Sequence, residues 1–560
     1  MAVGGIVVIA VLARLPNLFA IPAFTDEVEE VALGLDILRH GLRPLTNVDP
    51  YIGPLWNYIL AGALWLAGPS AGVPRALMLG AGTLTVLLTY VLGRALHGRR
   101  VGLLAATLLA TSAVHTAVNS HVAWSNCVTP LFTTAGLLTL TRALRDDRPG
   151  LLLPTGLLFG VAFHTHPTAL PVLVGGALAV LVQRRGWLAS PWPYLAALLA
   201  ILSNVNLIIY NLQTAGRTFS YAQEIQDSYV RETGESASYA SRLGDLLLGL
   251  TRGIGGSLDH HATLLEYARE PLLWIAGALV LLGLVLALRH RSWLPALVVA
   301  STVVILPLVN PKYDPILNGR YLATILPLCL IWVGLALEWL AWRRGPVGWP
   351  RATNSVRGRV GSWLAGAAGV GVAAVLATAL VVGSLGSLAR YYDDVRENAR
   401  TGERILEVVR TAQSVGPRAQ PVVLDQRLDK VTLGPGAGII LRVLRTTLEL
   451  EGVQTQEFWL GEQRPAEVRE GQLVVLASRS KPQFTQEAVT GLGLRDWRGG
   501  TARVQSQASL YGLYRFGPGP TNAEGSKPGT RPKPASTPAR STSATRGSTS
   551  APADAASRRR

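Results

Sequence analysis

Residues 14–57 read RLPNLFAIPAFTDEVEEVALGLDILRHGLRPLTNVDPYIGPLWN. Six carboxylates, Asp26, Glu27, Glu29, Glu30, Asp36 and Asp49, fall in this one stretch between apolar segments. Acidic groups beside a bilayer are costly to bury and tend to mark function. Thr25 stands before Asp26 and Glu27, and an apolar pattern follows at Val28, Val31, Ala32, Leu35 and Leu38. That spacing predicts a helix capped by Thr25, with acids in its first turn and one apolar face. Pro22 closes the run before it. The plain reading is that Asp26 and Glu27 only favour the helix dipole, at about 0.3–1 kcal/mol each. Four more carboxylates in the same loop argue for more: like charges so close raise one another's pKa, which suits a general base. The same oxygens suit a divalent cation, with Asp26 and Glu27 as its ligands, although nothing in the pattern demands a cofactor.

Outward from this stretch the chain is apolar. Of its 560 residues 49% are hydrophobic and only 16% charged, where a soluble protein has about 25% charged residues; the mean hydropathy is +0.30. Apolar runs lie at 3–21, 74–96, 101–118, 126–143, 151–165, 167–183, 191–211, 271–288, 293–309, 318–341 and 361–388. Most approach the ~20 residues that cross a bilayer, so the fold class is a polytopic α-helical membrane protein. The net charge of +17 would suggest nucleic acid in a soluble chain. In a membrane protein it belongs to cytoplasmic loops and anionic lipid, and no nucleic-acid partner is expected. Cys127 and Cys329 lie in or beside apolar runs, which leaves no disulfide framework and no zinc spacing. The start, MAVGGIVVIAVLARL, lacks the basic leader and clean cleavage site of a signal peptide.

A short apolar segment, PLWNYILAGALWLAG at 54–68, decides the topology. Its length fits an interfacial or re-entrant helix better than a span. If it does not cross, five Arg-bearing loops fall on one side: Arg94/Arg99/Arg100, Arg142/Arg145/Arg148, Arg184/Arg185, Arg289/Arg291 and Arg343/Arg344/Arg351/Arg357/Arg359. That side is cytoplasmic by the positive-inside rule. The expectation is then eleven spans in the cell membrane, the N-terminus inside and the C-terminus outside, with Arg14 at the outer end of the first run against the trend. Three extracytoplasmic segments follow: 22–73, the tyrosine-bearing 212–270, and everything after about 389.

Beyond residue 388 the character changes. ARYYDDVRENARTGERILEVVRTAQ reads as an amphipathic helix leading out of the last span. Strands are predicted at 421–425, 473–478 and 510–516, with a helix at 438–450, which together suggest a small α/β domain over 389–516. GPGAG at 434–438 precedes that helix but lacks the spacing of a nucleotide loop, so a turn is the simpler reading. Residues 517–560 carry eight basic and two acidic residues among Ser, Thr, Pro and Ala, the composition of a disordered tail.

With these parts in order, the chain resembles the GT-C superfamily of integral-membrane glycosyltransferases. The resemblance is carried by RLPNLF, then FTDE, ALGLDILRHG, YIGPLWNYILA and YVLGRALHGRR, and further on by GLLFGVAFHTHPTAL at 156–170 and GRYLATILPL at 319–328. It is narrowest toward the family-39-like branch of protein O-mannosyltransferases and lipid A aminoarabinose transferases, and covers roughly residues 1–345. It implies transfer of a monosaccharide from a polyprenyl-phosphate carrier to an acceptor hydroxyl on the extracytoplasmic face, usually with inversion. Carried over by residue, Asp26 takes the hydroxyl proton and Glu27 is its partner. Arg320 beside Tyr321 matches the family's Arg-Tyr and would meet the leaving phosphate, while Lys312 is a candidate for the same work by position alone. Ordinary interfacial anchoring would also explain Arg320.

Asp49, before the interfacial segment and next to Tyr51, is a candidate contact for acceptor or cation. His164 and His166 stand where two short spans meet. Two His at i, i+2 do not share a helix face, so polar lining of a lipid groove is favoured over metal ligation. His121, Trp124 and Asn126 occupy the short second outer loop and face the same cavity. Relatives often carry a Lys near the carrier phosphate that this chain lacks, and it has no β-trefoil insertion in 212–270, which lowers the odds of a protein acceptor against a lipid or glycan.

Two other classes compete. A transporter or flippase of polyprenyl-linked glycans predicts paired half-repeats and charges near the bilayer midplane; the sequence shows neither. A non-catalytic membrane glycan-binding scaffold would leave the Asp26–Glu27 cluster unexplained.

Overall fold

Among the described residues every apolar run contains helix, although the first run leaves it at Arg14. The computed structural model describes residues 2–18, 25–233, 238–257, 270–310, 319–342, 356–414, 421–426, 440–459, 468–477, 489, 492–496 and 511–516. The GPGAG turn, the 517–560 tail and Lys312 lie outside these residues, as does the side chain of Asp26. In chain order the helices begin with α1 (Ala2–Arg14), α2 (Thr25–His40), α3 (Leu55–Ala67), α4 (Gly72–His97), α5 (Arg99–Ala110), α6 (Ala113–Asn119) and α7 (Ser125–Asp146). They continue with α8 (Leu152–Thr165), α9 (Leu170–Gln183), α10 (Trp192–Leu202), α11 (Val205–Gln213), α12 (Arg217–Thr233) and α13 (Tyr239–Gly255). The last of the helical body are α14 (Pro271–Arg289), α15 (Trp293–Val309), α16 (Gly319–Leu322), α17 (Leu326–Ala341) and α18 (Val356–Ser414).

Among the described residues four helices are long and apolar enough to cross a bilayer: α4, α7, α14 and the 367–393 part of α18. Two bent pairs, α5 with α6 at 60° and α10 with α11 at 55°, bring the number to six. The rest of the eleven runs form helices too short for a perpendicular crossing. Polar residues make these breaks. Ser112 caps α6, its hydroxyl accepting from the His115 N–H at 3.3 Å. Asn204, between α10 and α11, donates to the carbonyls of Gly160 and Ala200 at 3.0 and 2.9 Å. The 54–68 segment is the 13-residue α3.

The centre of the helical body is α17, buried from Leu326 through Leu337 and packed on α5, α14 and α18. Arg14 does not sit in a loop. It is fully buried and grips the α5–α6 break, bonding Ser120 Oγ at 2.8 Å, the Ala110 carbonyl at 2.9 Å and His115 Nδ1 at 2.7 Å. Its charge therefore serves packing, which explains why it departs from the trend of the other arginines.

The predicted amphipathic segment after residue 388 continues α18 as one helix to Ser414. A five-stranded mixed sheet follows, β1 (Val422–Asp425), β2 (Thr455–Phe458), β3 (Leu473–Ala477), β4 (Leu494–Asp496) and β5 (Tyr511–Phe516), with one helix, α19 (Ile440–Leu450). The order is β2-β1-β3-β5-β4; β1 runs parallel to β2 and β3, and β5 antiparallel to β3 and β4. Three strands and the helix lie where the sequence predicts them. TQEF and LRD, the remaining strands, are too short and polar to announce themselves.

Candidate functional site

The site grows from one turn of α2. Four consecutive residues there engage four different neighbours. Glu27 meets Arg75 of α4, Oε1 to Nε at 2.6 Å and Oε2 to Nη2 at 2.8 Å, and also accepts the Ala123 N–H at 3.0 Å. Burial raises its pKa, with the Arg75 charge and the Ala123 N–H opposing. Val28, 2% exposed, enters the core of the C-terminal sheet unit. Glu29 pairs with Arg442 of α19. Glu30 accepts both the N–H and the hydroxyl of Ser125, each at 2.7 Å. Successive helical residues are set 100° apart, so one turn can face four partners.

Glu29 and Glu30 form one wall of a cavity of about 310 Å³. Asp49 adds a third carboxyl to it. Tyr51 and Tyr221 hold Asp49, donating to its two oxygens at 3.2 and 3.0 Å. His166, Tyr51, Tyr221 and Tyr321 make an aromatic side, with ring centroids 5.8–6.1 Å apart. Arg320 lines the same cavity, its guanidinium carbon 3.9 Å above the Trp124 ring and its Nη2 donating to the Tyr321 hydroxyl at 3.0 Å. Burial pushes the Glu30 carboxyl up to about 8, and the Asp49 charge adds to this, against the Ser125 and Asn47 hydrogen bonds. Glu30 is thus largely protonated at neutral pH in the empty cavity. Asn126, 2% exposed on the same wall, has an Oδ1 with no hydrogen-bond partner. A buried acceptor left open in a cavity wall suits a ligand that brings a donor.

The loop that presents Asp49 and Tyr51 is pinned from below by His164. Its Nδ1 lies 2.7 Å from the Ser203 carbonyl, its Nε2 accepts the Leu55 N–H at 3.2 Å, and its own carbonyl takes the Gly53 N–H at 2.8 Å. Gly53 is required here, because a Cβ would come within 2.0 Å of the His164 ring. The chain breaks after α8, and His166 caps the short 3-10 turn Pro167–Ala169, its Nδ1 accepting the Thr168 N–H at 3.2 Å. A neutral His166 ring therefore carries its proton on Nε2.

Of the residues singled out from sequence, Asp49, Tyr51, Trp124, Asn126, His166, Arg320 and Tyr321 line this one cavity. Glu27, His164 and His121 are not among the lining residues. His121 instead bonds the Arg14 carbonyl at 2.7 Å and stacks on Tyr392. The backbone of Asp26 is the second residue of α2, and its side chain and Lys312 lie outside the described residues. Among the described residues no group of three or more His, Cys, Asp or Glu side chains is arranged to hold a metal. Glu30 and Tyr221 were not separated from their surroundings by sequence: Glu30 is one acid of a cluster, and Tyr221 stands 172 residues from its partner Asp49 in a polar segment. The i, i+4 spacing of Asp26 and Glu30 on one helix face was the available signal.

The acidic helix α2 thus contributes to an arginine-bearing cavity within a body of apolar helices. Residues 50–210 match the model of the dolichyl-phosphate-mannose-protein mannosyltransferase family. The fold is similar to that of ArnT from Cupriavidus metallidurans bound to undecaprenyl phosphate, with a TM-score of 0.55 at 13% identity over 92% of this chain and 97% of that one. The same enzyme in the apo state gives 0.54 at 13% identity, over 91% and 97% of the two chains. The oligosaccharyltransferase of Archaeoglobus fulgidus gives 0.46 at 14% identity, over 88% and 69%. No curated protein sequence matches the chain.

Proposed function

We propose that this protein is an inverting glycosyltransferase that takes a monosaccharide from a polyprenyl-phosphate carrier and gives it to an acceptor hydroxyl outside the cytoplasmic membrane. The observation that carries the reading is that the Arg320 guanidinium and the carboxyls of Glu29, Glu30 and Asp49 line one cavity. A guanidinium stacked on Trp124 is preorganised for a phosphate, and the similar ArnT structure is bound to undecaprenyl phosphate.

The chemistry follows from the two ends. The acceptor oxygen attacks the anomeric carbon from the face opposite the phosphate, its proton passing to a carboxylate as the new C–O bond forms. The sugar–phosphate C–O bond breaks with both electrons going to the phosphate oxygen, and Arg320 stabilises that charge. Polyprenyl phosphate is a good leaving group and needs no proton, so one base suffices. We assign that base to Asp26, one turn before Glu30 on the same helix face. Glu27, fixed by Arg75, sets the rotation of the helix that presents it. Asp49, Tyr51 and Asn126 face the acceptor or the sugar hydroxyls, and Lys312 is assigned to the carrier phosphate with Arg320. On this reading the N-terminus is cytoplasmic, residues 389–516 are extracytoplasmic, and the acceptor is a lipid, glycan or protein.

The test is comparison of envelope glycolipids and glycoproteins by mass spectrometry in cells carrying the wild type or Asp26→Asn. The reading requires one sugar modification to vanish and its lipid-linked donor to accumulate. An unchanged envelope, or Glu27 labelled from the cytosolic side, overturns it.

A further inference from the structure

We propose that the C-terminal sheet unit is a positioning element for the cavity, holding α2 at a fixed rotation through Val28 and Arg442. Val28 is the residue of α2 that packs with Ile405, Val408, Leu424, Leu441 and Leu444 in the core of that unit. Glu30 lies two residues on, about 200° around the helix axis. Seating Val28 in the sheet unit therefore turns Glu30 to the other side, toward Ser125 and the cavity. A rotation of α2 that frees one moves the other.

Further contacts lock the same arrangement. Arg442, the third residue of α19, pairs with Glu29 at the cavity wall. Arg39, in the last turn of α2, donates to the Glu449 carbonyl near the end of α19. Glu451, just past α19, accepts the Ala71 N–H at 3.1 Å at the entrance to α4, the helix that supplies Arg75 to Glu27. The sheet unit thus grips α2 along its length and also the start of α4, the helix that holds Glu27. Val28, Arg39, Arg442 and Glu451 are not among the residues that line the cavity. They act through α2.

The activity half of the test rests on the function proposed above, and the structural half does not. Amide hydrogen exchange over residues 30–38 is measured on the full chain in detergent for the wild type, Val28→Ala, Arg442→Glu and Arg442→Lys. We expect at least fivefold faster exchange in α2 for the first two variants, with α7 and α17 unchanged, and near-wild-type exchange for Arg442→Lys. With an undecaprenyl-phosphate-linked sugar as donor, kcat should fall roughly tenfold in Val28→Ala and Arg442→Glu. The KM for the lipid should stay within twofold, and Arg442→Lys should recover the rate. Unchanged α2 exchange, exchange that rises equally across the helical body, or an unchanged kcat would each overturn the proposal. A wild type that transfers no sugar but shows the exchange pattern would sink the function and leave the positioning role standing.

Discussion

Glu30 accepts two hydrogen bonds from Ser125, the backbone N–H on one carboxylate oxygen and the hydroxyl on the other, each at 2.7 Å. The acid is 2% exposed and Ser125 is fully buried at the start of α7. This pair joins α2 to α7 of the helical body at the cavity wall.

The folded-state pKa of Glu30, about 8 against 4.5 for the free group, has a consequence for stability. The native state keeps its proton up to the higher pH, so stability falls as pH rises between about 4.5 and about 8 and levels off above that. At about 1.36 kcal/mol per unit the effect is at most about 5 kcal/mol. Glu30→Gln should flatten this slope. Melting curves in detergent at pH 5 and pH 8.5 should show a smaller drop for the variant than for the wild type.

Asp26 and Glu27 should separate cleanly in mutagenesis. Asp26→Asn is expected to lower the transfer rate by roughly 10²–10⁴-fold with little change in melting temperature. Glu27→Gln leaves the buried Arg75 charge unpaired, so it should cost stability, about 3–5 kcal/mol. Thermal unfolding and initial rates measured on the same preparations distinguish the two.

Arg320 should tolerate little. Arg320→Ala is expected to reduce kcat/KM for the lipid donor by roughly 10²–10³-fold. Arg320→Lys should recover part of that loss, since it keeps the charge but cannot stack flat on Trp124. Removing the ring itself, in Trp124→Ala, should cost about 0.5–2 kcal/mol of the interaction, read as a roughly 2- to 30-fold rise in KM.

Asn126 offers a trade. Its open Oδ1 burdens the empty protein, so Asn126→Leu should leave the melting temperature unchanged or raise it. The same change should reduce transfer at least tenfold. A loss of both together would place Asn126 in packing instead of recognition.

The sequence foretold the apolar helices because apolar runs are local signals, whereas α12 and α13, in the polar 212–270 segment, carried no such signal. It foretold where the C-terminal sheet begins and ends because β1, β3 and β5 are short apolar runs that the fold buries. It also gathered seven of the cavity's residues, from Asp49 to Tyr321, since each stands beside a helix end. What it could not give is which acid meets which base. Glu27 and Glu30 are alike in composition and spacing, yet one is paired by Arg75 and the other by Ser125, partners that only the folded helices bring near. His164 looked like cavity lining from its neighbour His166, and a change of backbone direction at residue 166 separates them.

One long element couples the site to its surroundings. Helix α18 contains 59 residues, about 88 Å at 1.5 Å per residue, against a hydrocarbon layer of about 30 Å. Its far end supplies Ile405, Val408, Val409 and Ala412 to the core that receives Val28. On the proposed function, lipid thickness thereby becomes a control variable for sugar transfer: a bilayer that tilts this mast shifts the ground on which α2 stands. Turnover measured in vesicles of 14-, 18- and 22-carbon lipids should pass through an optimum, and the Val28→Ala variant should lose it.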